Sequence, residues 1–274
     1  MEETVLTPPI HSRTFGTGDP TLLFVHGFCC DGTDWDILIE RLSSRFRCAT
    51  LDLPGHGATP FDAGSMQRVA EAVNVVKHAL GSDNIILIGH SLGCKIVREA
   101  HRQDPSGVAG MILIDGSLYL SDRETMLGNA NTALAHGMEA FTRGLFGRMF
   151  DDKTPEDRKD FLIGRALAVD PGFARDLFLD SVGWDSDYAR STLQDLGIPA
   201  MVIQATSFDS QFRWRPLADN ESTGLIDTMR AVVSDFEAVI IKDAGHFVMT
   251  DNPDATSAAI AKFAERVMEK QVAA

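Results

Sequence analysis

The 274-residue chain predicts an α/β fold: a mostly parallel central sheet with helices on both faces and a helical insertion. Three observations predict it. Short runs of Ile, Leu and Val alternate with stretches of helical periodicity, the pattern of a parallel sheet buried on both faces. One run, Ile85-Ile86-Leu87-Ile88, stops at Gly89-His90-Ser91-Leu92-Gly93 and passes straight into a helical pattern. The alternation then lapses between about residues 121 and 196, where only helical patterns occur, before apolar runs resume.

The elements follow in order. Thr21–His26 reads as a strand, Thr33–Leu42 as a helix and Phe46–Leu51 as a strand ending at the turn Asp52-Leu53-Pro54-Gly55-His56-Gly57. Apolar positions 69, 72, 73, 75, 76, 79 and 80 predict a helix over Met66–Leu80. Asn84–Gly89 is the next strand, Leu92–Arg102 a helix and Gly110–Asp115 a strand. Arg123–His136, Met138–Phe150, Pro155–Val169 and Gly172–Asp180 read as helices of the insertion. Strands return at Pro199–Ala205 and Phe236–Ile241, and a helix over Pro253–Gln271 closes the pattern. The insertion returns the chain to the same sheet without Gly/Ser-rich linkers. The expected organisation is therefore a core domain of residues 1–120 and 197–274 with a helical cap of residues 121–196.

Composition narrows the function classes. Twenty-five basic against 39 acidic residues give a formal net charge of −14, which argues against a nucleic-acid partner, since phosphate binding needs a basic stripe. No apolar run approaches a membrane span. The start, Met-Glu-Glu-Thr-Val-Leu, is acidic where a signal peptide is basic. The expectation is a cytoplasmic protein without membrane contact, a monomer or homodimer, acting on a small molecule. Cysteines 29, 30, 48 and 94 show no metal-ligand spacing, and no metal is expected.

Ligands of an open parallel sheet bind beyond the carboxyl ends of its strands. Here those ends carry His26-Gly27-Phe28, Asp52, Ser91, Asp115, the stretch 206–209 and the loop around His246. Glycines 89 and 93 leave room for a sharp strand-to-helix turn that lifts the Ser91 hydroxyl above the sheet edge. A serine nucleophile needs a base, and the base needs an orienting carboxylate. His246, in Lys-Asp-Ala-Gly-His-Phe after the last strand, is the candidate base. His90 reads as structural, His26 as a loop brace and His56 as a turn-stabilising residue. Two acids compete. Asp115 ends an apolar strand, where a carboxylate has little use unless a donor meets it; Asp209 lies in a polar loop. Asp115 is favoured and Asp209 is the alternative. The oxyanion donors expected are the backbone N–H groups of Phe28 and Leu92.

Gly89-His90-Ser91-Leu92-Gly93, His26-Gly27-Phe28, Asp52-Leu53-Pro54-Gly55-His56-Gly57 and Ala244-Gly245-His246 together resemble the α/β-hydrolase superfamily over nearly the whole chain. The resemblance implies the α/β-hydrolase fold and chemistry without a cofactor. Most members place the acid in Gly-x-x-Asp after the strand following the cap, where this chain reads Ala205-Thr206-Ser207-Phe208-Asp209. A subset places it one strand earlier, as at Asp115. That subset includes cofactor-free dioxygenases of 3-hydroxy-4-quinolones and an acetamidomethylene-succinate hydrolase. Phe28-Cys29 is similar to the Trp-Cys pair of the dioxygenase oxyanion loop.

The function expected is a serine hydrolase that cleaves a carboxylic ester, lactone or related acyl bond of a largely apolar substrate through an acyl-enzyme. The alternatives are a cofactor-free dioxygenase or carbon–carbon bond hydrolase using the same His/Asp pair, and a non-catalytic ligand-binding receptor. A carboxylate nucleophile, as in dehalogenases and epoxide hydrolases, is disfavoured by Ser91. Phe28, Cys29, Tyr119, Phe146, Trp184 and Phe247 are the expected substrate-binding residues; Phe146 shares an apolar face of the cap helices with Met126, Met138, Phe141, Met149 and Phe150. Arg213 and Arg215, flanking Trp214, suit either a substrate carboxylate or surface ion pairs.

Overall fold

The computed structural model describes residues 2–5, 9–60, 63–150, 153–208, 214–218 and 220–273. In chain order the elements are β1 (Glu2–Val5), β2 (His11–Phe15), β3 (Thr21–Val25), α1 (Asp36–Leu42), β4 (Arg47–Leu51), α2 (Met66–Leu80), β5 (Ile85–His90), α3 (Leu92–Gln103) and β6 (Val108–Ile114). Then come α4 (Arg123–Ala133), α5 (Met138–Gly147), α6 (Glu156–Leu167), α7 (Pro171–Tyr188), α8 (Ser191–Gln194), β7 (Ala200–Gln204), β8 (Thr206–Phe208) and β9 (Trp214–Pro216). The chain ends with α9 (Gly224–Val232), β10 (Phe236–Ile240), α10 (Val248–Asp251) and α11 (Pro253–Ala273).

Eight strands form one sheet in the order β1-β2-β4-β3-β5-β6-β7-β10. From β4 to β10 every pairing is parallel, and β1 and β2 add an antiparallel edge. Residues of β3, β5, β6 and β7 are buried throughout, because helices cover both faces. The chain leaves β3 for β4 on one side and returns to β5 on the other, which opens a crevice above β3 and β5. The mostly parallel α/β fold expected from the sequence is the one observed. None of the described helices is long and apolar enough to cross a membrane.

Local signals account for the helix limits. Ser65 caps α2 by accepting from the Arg68 N–H, and Gly81 closes it in the left-handed region at φ +60°. Asp170 caps α7, whose first residue is Pro171. That helix is longer than the segment 172–180 suggested by periodicity and runs to Tyr188. The helical pattern over 33–42 resolves into a 3₁₀ turn, Gly32–Trp35, followed by α1. The β1–β2 edge, β8, β9 and α9 were not legible as elements, being short or weakly patterned.

Helices α4 to α8 lie between β6 and β7 in sequence and are fastened to the sheet layer by polar contacts. Arg165 Nη2 of α6 donates to both carboxylate oxygens of Asp34, at 2.7 and 2.9 Å, and its Nη1 donates to Asp31 Oδ1 at 3.0 Å. Burial pushes the Asp34 carboxyl above its ordinary value, with the Arg165 guanidinium pulling the other way. Trp184 of α7 donates its indole N–H to Glu99 of α3 at 2.9 Å, and Arg98 donates to Thr192 of α8 at 2.7 Å. The Met66 N–H donates to Asp180 at 2.7 Å. Removing one partner of the buried Arg165–Asp34 pair strands the other charge. Arg165→Ala should therefore lower the unfolding free energy by about 3–5 kcal/mol in urea titrations; a loss below about 1 kcal/mol would mean that the pair is not buried as described.

Three fully buried histidines brace the sheet edge. The Leu53 N–H donates to His26 Nε2 at 3.0 Å, the Cys29 N–H donates to His56 Nε2 at 3.3 Å, and His90 Nε2–H donates to the His246 carbonyl at 2.8 Å. Burial lowers all three below the ordinary value of 6.5, His56 to about 4. The unfolded chain therefore binds more protons below pH 6.5, and stability falls as pH falls. Between pH 7.5 and 5.5 each of these histidines should cost on the order of 1 kcal/mol, roughly 3–4 kcal/mol together. Urea titrations at the two pH values measure the loss, and His56→Gln should shrink it by about a third.

Candidate active site

The turn at Ser91 is as sharp as the sequence demands. Ser91 sits at φ +53° and ψ −117° between β5 and α3, a conformation that costs a non-glycine residue about 1–3 kcal/mol. A Cβ on Gly89 would lie 2.3 Å from the Gly93 carbonyl oxygen, and one on Gly93 would lie 2.4 Å from that of Val25. Both glycines are thus required by close backbone approach.

Asp115 follows β6 at φ +47° and is 1% exposed. Its Oδ1 accepts from the N–H groups of Ala205 and Thr206, both at 2.9 Å. Its Oδ2 accepts from the Thr206 hydroxyl at 2.5 Å and from His246 Nδ1 at 2.7 Å. With Nδ1–H donated to the carboxylate, Nε2 is the ring atom left with a lone pair. His90, the neighbour of Ser91, tethers the His246 carbonyl, and the two imidazole centroids are 4.6 Å apart. The competing acid, Asp209, lies outside the described residues, as does Arg213.

A cavity of about 600 Å³ opens above this edge, and Ser91, Leu92, Phe28 and Tyr119 line it. Among the apolar residues of the insertion, Met126, Phe141 and Met149 also line it. Other expected pocket residues are placed elsewhere. Cys29 is fully buried behind its loop, at φ +54° with its N–H on His56. Trp184 is turned into the interface with α3 by its bond to Glu99 and by Arg98 over its ring at 5.0 Å. Phe146 and Phe247 pack on each other, and Phe150 stacks on Phe247 at 5.8 Å, forming an apolar layer next to His246. Arg215 pairs with Glu221 at 2.8 Å on the surface. Burial pushes the thiols of Cys48 and Cys94 up to about 12 and those of Cys29 and Cys30 above their ordinary value. Thiolate chemistry at neutral pH is disfavoured.

Three residues of the site had weak or unread signals. Trp214 packs against His246 with centroids 3.8 Å apart and ring planes tilted by 45°, and it lines the cavity. Only its place after the post-insertion strand hints at this. Thr206 supplies two of the bonds to Asp115. Lys95 lines the cavity; its place in the first turn of the helix that follows the serine turn is the one signal the sequence offers.

Comparison with known proteins agrees with this architecture. The chain is 26% identical over 276 residues to 2-(acetamidomethylene)succinate hydrolase of Mesorhizobium japonicum, covering 93% of this chain and 91% of that protein. It is 28% identical over 260 residues to 2-succinyl-6-hydroxy-2,4-cyclohexadiene-1-carboxylate synthase of Klebsiella pneumoniae, covering 90% and 94%. It spans only 40% of a pimeloyl-[acyl-carrier protein] methyl ester esterase of Sodalis glossinidius and 15% of the chloroplastic protein PHYLLO of Arabidopsis thaliana. The solved structure of a thermophilic esterase from Thermogutta terrifontis superposes with a TM-score of 0.75 at 22% identity, over 97% of this chain and 98% of that one. That likeness is one of fold. The profile described as the alpha/beta hydrolase family matches residues 22–259, and the chain belongs to that family.

Proposed function

We propose that the chain is a serine hydrolase acting on a carboxylic ester, lactone or related acyl bond of a small to medium, largely apolar substrate. The observation that carries the reading is the 2.7 Å bond from His246 to a buried Asp115, at the sheet edge that also presents Ser91. In this reading Ser91 Oγ attacks the acyl carbon and His246 Nε2 takes its proton. Asp115 holds the imidazole and offsets its positive charge. The N–H groups of Phe28 and Leu92 hold the oxyanion. Those of Cys29 and Cys30 already serve His56 and Gly27, while Leu92 begins α3, where N–H groups lack intrahelical partners. Two such donors lower the barrier by roughly 3–4 kcal/mol each. His246 then protonates the leaving oxygen, and water, deprotonated by His246, releases the acid from Ser91. Helices α4 to α8 act as the cap that shapes the pocket.

One relative is by name a synthase, so a second reading keeps the His246–Asp115 pair as a proton-abstracting base with Ser91 outside the covalent chemistry. Ser91→Ala separates the two. Acyl transfer predicts a fall in kcat/KM for p-nitrophenyl esters on the order of 10³-fold or more, with loss of labelling by a serine-directed phosphonate. Turnover undiminished in that variant would reject the nucleophile.

The acid is tested separately. Asp115→Asn should cost on the order of 10⁴-fold in kcat by removing the carboxylate that orients the imidazole. Asp209→Asn should stay within about threefold. The reverse pattern, in variants shown by circular dichroism to be folded, would assign the acid to Asp209.

A further inference from the structure

Resting on Ser91 as the acyl site, we propose that Lys95, neutralised by Asp185, is a specificity site for a neutral hydrogen-bond acceptor, a keto oxygen, midway along an apolar acyl chain. Much of the cavity wall is apolar, with Leu92, Met126, Ala130, Phe141, Leu145 and Phe178, and Asn129, Ser181 and Arg148 add polar groups to it. Within it lies one ion pair, Lys95 Nζ to Asp185 Oδ2 at 2.5 Å, with side-chain exposures of 12% and 2%. An ammonium carries three N–H donors, and Asp185 takes one of them. Asp185 Oδ1 has no hydrogen-bond partner among the described residues, and burial raises the Asp185 carboxyl while Lys95 and the nearby Arg98 pull it down.

An ion pair this buried contributes little net stability, and apolar residues of similar volume fasten two helices at least as well. What the pair adds is a hydrogen-bond donor in the cavity wall whose own charge is balanced by its partner. A carboxylate brought to Lys95 would face the like charge of Asp185 and lose its water, at a larger desolvation cost than a neutral acceptor. A ketone accepts the same N–H without that cost. Position follows from the cavity. Ser91, just before α3, and Lys95, in its first turn, both line the same space, so the acceptor sits several carbons from the scissile carbonyl. The expected substrate class is a medium-chain oxo-acyl ester or lactone.

The test reads binding and needs no turnover. Methyl octanoate, its 4-, 5-, 6- and 7-oxo derivatives and monomethyl suberate are titrated into the Ser91→Ala protein by quenching of tryptophan fluorescence, for which Trp214 lies in the cavity wall. One oxo isomer should bind at least about tenfold more tightly than methyl octanoate, a difference of about 1.4 kcal/mol. Adding Lys95→Met with Asp185→Leu, or Lys95→Leu with Asp185→Met, should bring that ratio to within about twofold, because only the oxo oxygen used the donor. A purely structural pair would lower the melting temperature and leave the ratio unchanged. A flat oxo series, a ratio that survives the substitutions, or tighter binding of the hemi-suberate would each overturn the proposal. A wild-type protein that shows this selectivity yet hydrolyses none of the esters would sink the acyl-transfer reading and uphold the site.

Discussion

Asp115 is a carboxylate with 1% exposure, and four donors from two other segments keep it there: the Ala205 and Thr206 N–H groups, the Thr206 hydroxyl and His246 Nδ1–H. A bare carboxylate at that depth would be expelled or neutralised. Once the donors are supplied, the same bonds fix the start of the post-β7 segment, the ring plane of His246 and the end of β6. Three chain segments far apart in sequence thus share one anchor. The strain at Ser91 and Asp115 persists because such contacts over-determine the backbone.

Much of this was legible because parallel sheets write themselves plainly into a sequence. Buried β3, β5, β6 and β7 need unbroken apolar runs, and the turn at Ser91 needs glycine at 89 and 93 for steric reasons that admit no substitute. Asp115 was readable as a carboxylate stranded at the end of such a run. Pocket walls are different. Whether Trp184 faces a substrate or Glu99 is decided by a single hydrogen bond between helices, and nothing in the local pattern encodes it. Trp214 reaches His246 from an edge segment of three residues, too short to show a period. The helices of the insertion were visible as apolar stripes, yet a stripe does not distinguish residues packed inside from those lining a space.

Polar contacts do in the insertion what apolar layers do in the sheet. Lys95, Arg98 and Glu99 occupy consecutive turns of α3 and meet Asp185, Thr192 and Trp184. The nucleophile-bearing helix is therefore also the rail on which α7 and α8 are set. Such bonds have strict geometry where apolar contact is forgiving, so they fix where the insertion sits over Ser91 even though each adds little to stability.

The grip of Arg165 on Asp31 and Asp34 bears on how a ligand reaches the cavity. Both acids belong to the loop that carries Phe28, so raising α6 would drag that loop with it and open a bidentate, buried pair. Helices α4 and α5 carry mostly exposed residues, with His136 and Arg148 at the cavity margin. An approach past these two helices would leave the Arg165 grip, and with it the geometry around Phe28, undisturbed.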